Sequence, residues 1–341
     1  MDAERLASPE LYPLSFDATG DRVRLIPLEE EAYRVASFLD ERLLASVGFG
    51  EWVPMAELRE AMPRPASEGD FVFHLGHVGS TLLSRLLGEN DRVFSVREPA
   101  ILRTLAIAEL AGQDPEWLRD QARLFLALWA RVWRPRQRSL LKATSFVSEL
   151  APLLMDLNPS AAAILMHLPA SAHLAAILGG EASRAEMATN ASMRLTRLHR
   201  RLGGPFWRLD SLGPGERAAM SWLCEIMALG RLAELHPDRV LWLDFDAFLA
   251  APEAGLSAIL RQLHGEAPPE RITGMLRSGH LARYAKAPEH AFDGEARRNL
   301  LALAARDHRE EIARGMAWLE GAASAHALVG QTLGQLDRLA P

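Results

Sequence analysis

The sequence predicts an α/β protein: a three-layer α/β/α sandwich around a parallel central sheet, with a helical C-terminal part. Three observations carry that prediction. Short, nearly continuous apolar runs such as Phe71–Leu75 have the pattern of strands buried on both faces. Stretches of helical spacing separate these runs, so successive strands need crossover connections and pair in parallel. A glycine-bearing turn, Gly76-His77-Val78-Gly79, stands between the Phe71–Leu75 run and a helix that opens at Ser80-Thr81.

In chain order, residues 1–69 read as an N-terminal appendage and 70–341 as the main α/β domain. Val23–Ile26 reads as a short strand. Glu29–Leu44 has helical spacing, with Tyr33, Val35, Ala36, Phe38 and Leu39 as its apolar positions. Trp52–Met62 reads as a second helix, stopped by Pro63-Arg64-Pro65, because proline lacks an N–H and restrains its neighbour. The stretch 63–70 is the expected linker. After the turn, a helix runs through Gly88 with Leu82, Leu83, Leu86 and Leu87 on one face. Further strands are expected at 93–96, 139–141, 162–167 and 240–245. Helices are expected at 99–112, 115–133, 145–157, 170–202 and 215–235, and nearly everything beyond Asp246 reads as helix.

Composition narrows the function. Hydrophobic residues make up 49% of the 341 and charged residues 24%, the balance of a globular chain. A formal net charge of -6 argues against broad, sequence-independent nucleic-acid binding, which needs a basic surface, while leaving room for a local anion pocket. The single cysteine, Cys224, allows no intrachain disulfide and reads as a small buried hydrophobe. The opening MDAERLASPELYP lacks a basic-then-apolar signal pattern, and no apolar run reaches the roughly 18 residues of a membrane helix. A cytoplasmic protein without a membrane partner is the expectation.

The turn is the feature with chemistry in it. Glycines let a backbone approach a ligand closely, and the first N–H groups of a helix have no internal acceptors. With the positive end of the helix dipole they form an anion site. Ser80 and Thr81 stand where hydroxyls serve either as anion ligands or as plain N-caps. Against the ATP/GTP loop G-x-x-x-x-G-K-[ST], the first glycine position is His74 and the lysine position is Ser80. An ordinary nucleoside triphosphatase or kinase is thereby disfavoured.

The run Gly76-His77-Val78-Gly79-Ser80-Thr81-Leu82-Leu83 resembles the 5′-phosphosulfate-binding loop of the sulfotransferases, P-[KR]-S-G-[ST]-T-[LW]. Gly79, Ser80 and Thr81 match, and His77 stands where Lys or Arg is usual. Four further segments extend the resemblance over about residues 70–264. Ser95-Val96-Arg97-Glu98-Pro99 is similar to the place where one branch of the family carries a glutamate base. Leu140-Leu141-Lys142-Ala143-Thr144 resembles the strand ending in Lys-Thr-His, with Thr144 at the His position. Ala162–Ala175 resembles the 3′-phosphate segment R-x-P-x-x-x-x-x-S, with His167 for the Arg and Ala175 for the Ser. Trp222 and Val240–Leu249 with Pro252 resemble the family's later strand and the segment after it.

The resemblance implies a phosphate-loop fold and a cosubstrate, 3′-phosphoadenosine 5′-phosphosulfate (PAPS), with no metal. It implies that Gly76, His77, Val78, Gly79, Ser80, Thr81 and His167 hold the donor, that Lys142 and His77 meet charge on the transferred group, and that Glu98 is the base. Apart from the resemblance, the basic run that begins at Arg194 is a candidate receiver of the donor's 3′-phosphate or of an acidic substrate. The acceptor would be a small molecule, carbohydrate or peptide bearing a hydroxyl or amine, and a homodimer is compatible with it. Each residue also has a plainer role: His77 bonding its own loop, His74 as a core histidine, Glu98 as an ion-pair partner of Arg97 or Arg103. Arg194, Arg197, Arg200, Arg201 and Arg208 would form a solvated helix face, Asp246 is structural, and Arg277-Ser278-Gly279 faintly echoes a family phosphate loop. Two alternatives stand beside the transferase: a non-catalytic binding protein of the same fold, favoured by the changes at His77, Thr144, His167 and Ala175, and a phosphotransferase with an altered donor site.

Overall fold

A computed structural model describes residues 6–62, 68–285 and 289–338; Pro63–Ser67, most of the expected linker, lies outside the described residues. Five strands make the central sheet: β4 (Gly69–His74), β5 (Val93–Arg97), β6 (Arg138–Lys142), β7 (Ala163–His167) and β8 (Val240–Asp244). Their order is β5-β6-β4-β7-β8 and every neighbouring pair is parallel, as expected for strands joined by helical crossovers. All six residues of β4 are buried, the mark of a central strand covered on both faces. The helix Ser80–Gly88 packs on β5, β6 and β4, while Pro252–His264 packs on β7 and β8. The long helix Pro214–Leu235 runs against β4 and against the helices Ala170–Gly179, Glu181–Leu202 and Arg309–Ala325.

The N-terminal region has more sheet than its spacing predicts. Val23–Ile26 lies in β2 (Arg22–Pro27), which pairs antiparallel with β1 (Leu11–Asp17) and β3 (Glu51–Pro54). The predicted helix over 52–62 therefore begins only at Met55, and β1 escaped the sequence reading altogether. The predicted helix over 29–44 is in fact Glu30–Val35, a 3₁₀ turn at Glu41–Leu43 and a short helix at Leu44–Val47. Its early end has a tertiary cause. The Arg97 guanidinium takes the carbonyls of Tyr33, Arg34 and Ala36, and the Arg97 carbonyl accepts from the Leu39 N–H at 2.8 Å. Downstream, Gly180 adopts extended backbone and splits 170–202 into two helices, and 145–150 is 3₁₀ before the helix Ala151–Leu157.

One continuous core joins the two sheets. Phe16 of β1 stacks edge-on against Phe125 at 5.2 Å between centroids, and Tyr33 meets Phe94 of β5 at 4.9 Å. Arg131 ties the carbonyls of Leu6 and Leu11 at 2.8 and 2.6 Å. Cys224 is buried in the same core, and burial pushes its thiol up to about 11. No helix is long and apolar enough to cross a membrane among the described residues.

Candidate active site

The glycine turn sits at the carboxyl end of β4, the central strand, which is where open parallel sheets bind ligands. Gly76 (φ 85°) and Gly79 (φ 68°) both take left-handed backbone, and so does His77 (φ 55°) between them. The Gly76 N–H donates to His74 Nδ1 at 3.0 Å, so His74 is a core histidine that shapes the turn. The N–H groups from His77 to Leu82 find no acceptor among the described residues. Ser80 and Thr81 are buried at the helix start, and Thr81 Oγ1 has no partner among the described residues. Unused donors at a helix N-terminus are an anion cradle by construction.

The walls of the turn come from distant segments. A Cβ on Gly76 would lie 3.1 Å from Ser145 Oγ, and one on Gly79 would lie 2.0 Å from the Phe245 ring. Phe245 in turn lies under Arg297, whose Nε donates to Asp246 at 2.7 Å, which gives Asp246 its structural role. His77 turns its Nδ1 to Ser183 Oγ (3.1 Å) and its Nε2 to Glu186 (3.7 Å). Burial pushes the Glu186 carboxyl up, but the His77 hydrogen bond and the Arg194 charge outweigh it and hold the group at about 2. An anion thus stands against the loop histidine. Beneath the turn, His173 is buried with neither ring nitrogen hydrogen-bonded among the described residues. Burial, then the neighbouring His77 and Arg194, depress it to about 3, so its ring is neutral.

Arg194 is not a solvated cation. It is buried, donating to Glu225 at 2.9 Å, to Glu186 at 3.2 Å and to Ser145 Oγ at 3.4 Å. Burial would lower its guanidinium, but the Glu225 and Glu186 carboxylates more than reverse that. Arg197 is likewise buried and bidentate to Glu225 at 3.0 and 3.1 Å. The helix-face reading of this arginine run fails for these two because the opposite helix supplies a buried acid. Arg200, Arg201 and Arg208 pair with Glu109, Glu149 and Asp210.

The second half of the site lies on the neighbouring strands. Arg97 of β5 and Lys142 of β6 are register partners, and Lys142 is also the partner of Val72 in β4. The Glu98 N–H donates to the Lys142 carbonyl at 2.7 Å, while the Lys142 ammonium donates to the Glu98 carboxylate. Glu98 holds this position with left-handed backbone (φ 50°). Lys142 is fully buried and the Glu98 side chain is 18% exposed, so the carboxylate is the member of the pair that meets solvent. The predicted partnerships of Glu98 with Arg97 or Arg103 do not form: Arg97 serves backbone carbonyls, and Arg103 donates to Asn190 at 2.7 Å. Over the pair lie two residues of the N-terminal region. Phe38 has its ring centroid 5.8 Å from Lys142 Nζ, and the Arg42 guanidinium stacks on the same ring, 3.8 Å from its centroid.

His167 ends β7 as the register partner of Asp244, with its ring edge-on to Trp242 at 5.3 Å. Burial lowers its pKa against the pull of Asp244, so it supplies no fixed positive charge at neutral pH. Thr144 leads into the 3₁₀ segment 145–150, Ala175 is buried in its helix, and the Trp222 indole donates to the Leu168 carbonyl at 3.0 Å. Arg277 closes the helix Pro269–Arg277 on its exposed side. No group of three or more His, Cys, Asp or Glu that could hold a metal ion occurs among the described residues.

Sequence reading missed Ser183, Glu186, His173 and Phe245. A signal for the first two exists. Ser183, Glu186, Asn190, Arg194, Arg197 and Arg201 recur at helical spacing, a polar stripe on the face that turns toward the loop. Phe245 gave none, since its place over Gly79 depends on how β8 ends.

No family model and no curated protein matches the chain. Solved structures similar to it include a sulfotransferase domain from the curacin biosynthetic pathway, 12% identical over 71% of this chain and 91% of that one, with a TM-score of 0.43. The sulfotransferase STF9 from Mycobacterium avium is 14% identical over 74% of this chain and 80% of that one, with a TM-score of 0.39. A sulfotransferase from Alicyclobacillus acidocaldarius is 14% identical over 74% of this chain and 99% of that one, with a TM-score of 0.37.

Proposed function

We propose that this chain transfers a sulfonyl group from PAPS to a hydroxyl or amine acceptor. The observation that carries the reading is the Glu98–Lys142 pair at the carboxyl ends of β5 and β6, beside the strand that ends in the N–H cradle of residues 77–82. In this scheme the loop N–H groups with Ser80 and Thr81 hold the 5′-phosphosulfate. The acceptor oxygen or nitrogen attacks sulfur in line, and its proton passes to the Glu98 carboxylate. The bond between sulfur and the bridging phosphate oxygen breaks, and adenosine 3′,5′-bisphosphate leaves with the electron pair. Lys142, released from Glu98 as that group takes the proton, meets the developing charge together with the loop. Phe38 and Arg42 stand on the acceptor side, which gives the N-terminal region a place in recognition.

A second reading, a non-catalytic protein of the same fold, is favoured by one pair of contacts. The Phe245 ring closes on Gly79, and Glu186 sets an anion against His77, where the family's loop carries a cation. Calorimetry with adenosine 3′,5′-bisphosphate, with ATP as comparison, together with a transfer assay from PAPS to phenolic and amine acceptors, separates the readings. Transferase function requires that the bisphosphate bind more tightly than ATP and that Glu98→Gln keep binding while losing transfer by roughly 10²–10⁴-fold. Absence of bisphosphate binding rejects PAPS as donor. Tight binding with no transfer to any acceptor supports the non-catalytic protein.

A further inference from the structure

Among the described residues several arginines donate to carbonyls and to no carboxylate, Arg131 and Arg239 among them, and two such arginines, Arg97 and Arg85, stand side by side. Arg97 is 2% exposed, and its guanidinium donates only to the carbonyls of Tyr33, Arg34 and Ala36. Arg85, from the helix Ser80–Gly88, donates to the carbonyls of Arg34, Val35 and Ala285 and to the Ser37 hydroxyl. Neither has an ion-pair partner among the described residues. Burial and the charge of Arg85 lower Arg97 to about 9, and burial lowers Arg85, the mark of positive charge with no counter-ion.

Both arginines line a cavity of about 320 Å³, together with Arg34, Ser37, Glu89 and His280. The acid in its lining, Glu89, is engaged with His280 at 2.9 Å, and the lining Arg34 has its own partner, Glu31, at 3.1 Å. The cavity is bounded by the C-terminal half of the helix Ser80–Gly88, so it is separate from the loop at that helix's other end. Carbonyl oxygens at the end of a short helix accept from the guanidiniums and bring the partial negative charge of the helix end, which is less than a full counter-charge. Arg97 is buried and Arg85 half-buried, and two guanidiniums without a paired acid beside one cavity favour an anion there, because a buried charge without compensation is costly.

We infer that this cavity binds a small oxyanion, a phosphate, sulfate or carboxylate group, held by Arg85 and Arg97 with Ser37 and His280 at its rim. Planar guanidinium forks suit such groups, whose oxygens accept two parallel bonds. The volume exceeds that of one inorganic oxyanion, which leaves room for a group carried on a larger molecule.

The test is calorimetric titration of the full chain with inorganic phosphate. Arg85→Gln should weaken binding about ten- to a hundredfold, the effect of losing charged hydrogen bonds. Ser80→Ala, at the glycine turn, should leave this binding in place, which keeps the result independent of the transferase reading. Glu89→Gln, which removes a negative charge from the lining, should tighten binding several-fold and serves if Arg85→Gln does not fold. Crystals grown with selenate should place a selenium anomalous peak between the two guanidiniums. Phenyl phosphate binding at least as well as phosphate assigns the site to a group on an organic ligand, and weaker binding assigns it to the free ion. Phosphate affinity unchanged in both Arg85→Gln and Glu89→Gln, with no selenium peak in the cavity, overturns the inference.

Discussion

Beneath the glycine turn, the buried guanidiniums of Arg194 and Arg197 share the carboxylate of Glu225, itself 1% exposed, and Glu186 and Glu149 complete the set. At the outer edge of β5, Arg85 and Arg97 are held by carbonyls and a hydroxyl. The first region is an internally neutralised network, which rigidifies the floor of the loop. The second is a positive region with no paired acid among the described residues. Arg97 is as buried as Arg194 and Arg197, while Arg85 is half-buried; what separates the regions is whether a neighbouring helix contributes an acid.

Removing the shared acid should have the largest effect. Glu225→Gln leaves two buried guanidiniums without their main counter-charge and should cost about 3–5 kcal/mol in urea unfolding. A loss under about 1 kcal/mol would mean that the network is not the closed unit its geometry describes. Gly79→Ala comes next, at about 2–4 kcal/mol, from left-handed backbone together with the Cβ overlap on Phe245. Phe245→Ala should restore part of that loss, which identifies the ring as the obstacle.

The neutral His173 gives the loop floor a pH signature. Its folded pKa of about 3 lies below the unfolded value of about 6.5, so the unfolded chain takes up a proton that the folded chain refuses. Stability should therefore fall as pH drops from about 6.5 toward 3, with about 2 kcal/mol gone by pH 5. His173→Leu should flatten that part of the profile in urea titrations. At the edge of β5, Arg97→Met should cost only about 1 kcal/mol, because relief of an uncompensated buried charge offsets the lost carbonyl bonds. If Arg97→Met costs as much as Glu225→Gln, the contrast between the two regions fails. Smallest of all, Asp210→Asn breaks an exposed pair with Arg208 and should leave the unfolding midpoint unchanged.

Much of the main domain was legible because its signals are local. The apolar runs at Phe71–Leu75 and Ala162–His167 could be nothing but covered strands once helices separated them, and Gly76 and Gly79 announced a turn that other residues enter with strain. The N-terminal region misled because its signals are mixed. Tyr33, Phe38 and Leu39 fit a helix by spacing, but the chain turns at Ala36 to give its carbonyls to Arg97, a residue 61 positions away. Spacing alone likewise made Arg194 and Arg197 a solvated face, since the acid that buries them lies on another helix.

The sequence by itself determined a parallel α/β sheet, the glycine turn at the end of its central strand, and the presence of Glu98 and Lys142 at strand ends. Backbone conformation and hydrophobic period are properties of neighbouring residues, so they can be read along one chain. Only the tertiary structure decided that Glu98 and Lys142 bond each other, that Phe245 and Glu186 close on the turn, and that Arg85 and Arg97 have no paired acid among the described residues. Charge compensation depends on distances between segments far apart in sequence, and those distances exist only once the helices are packed.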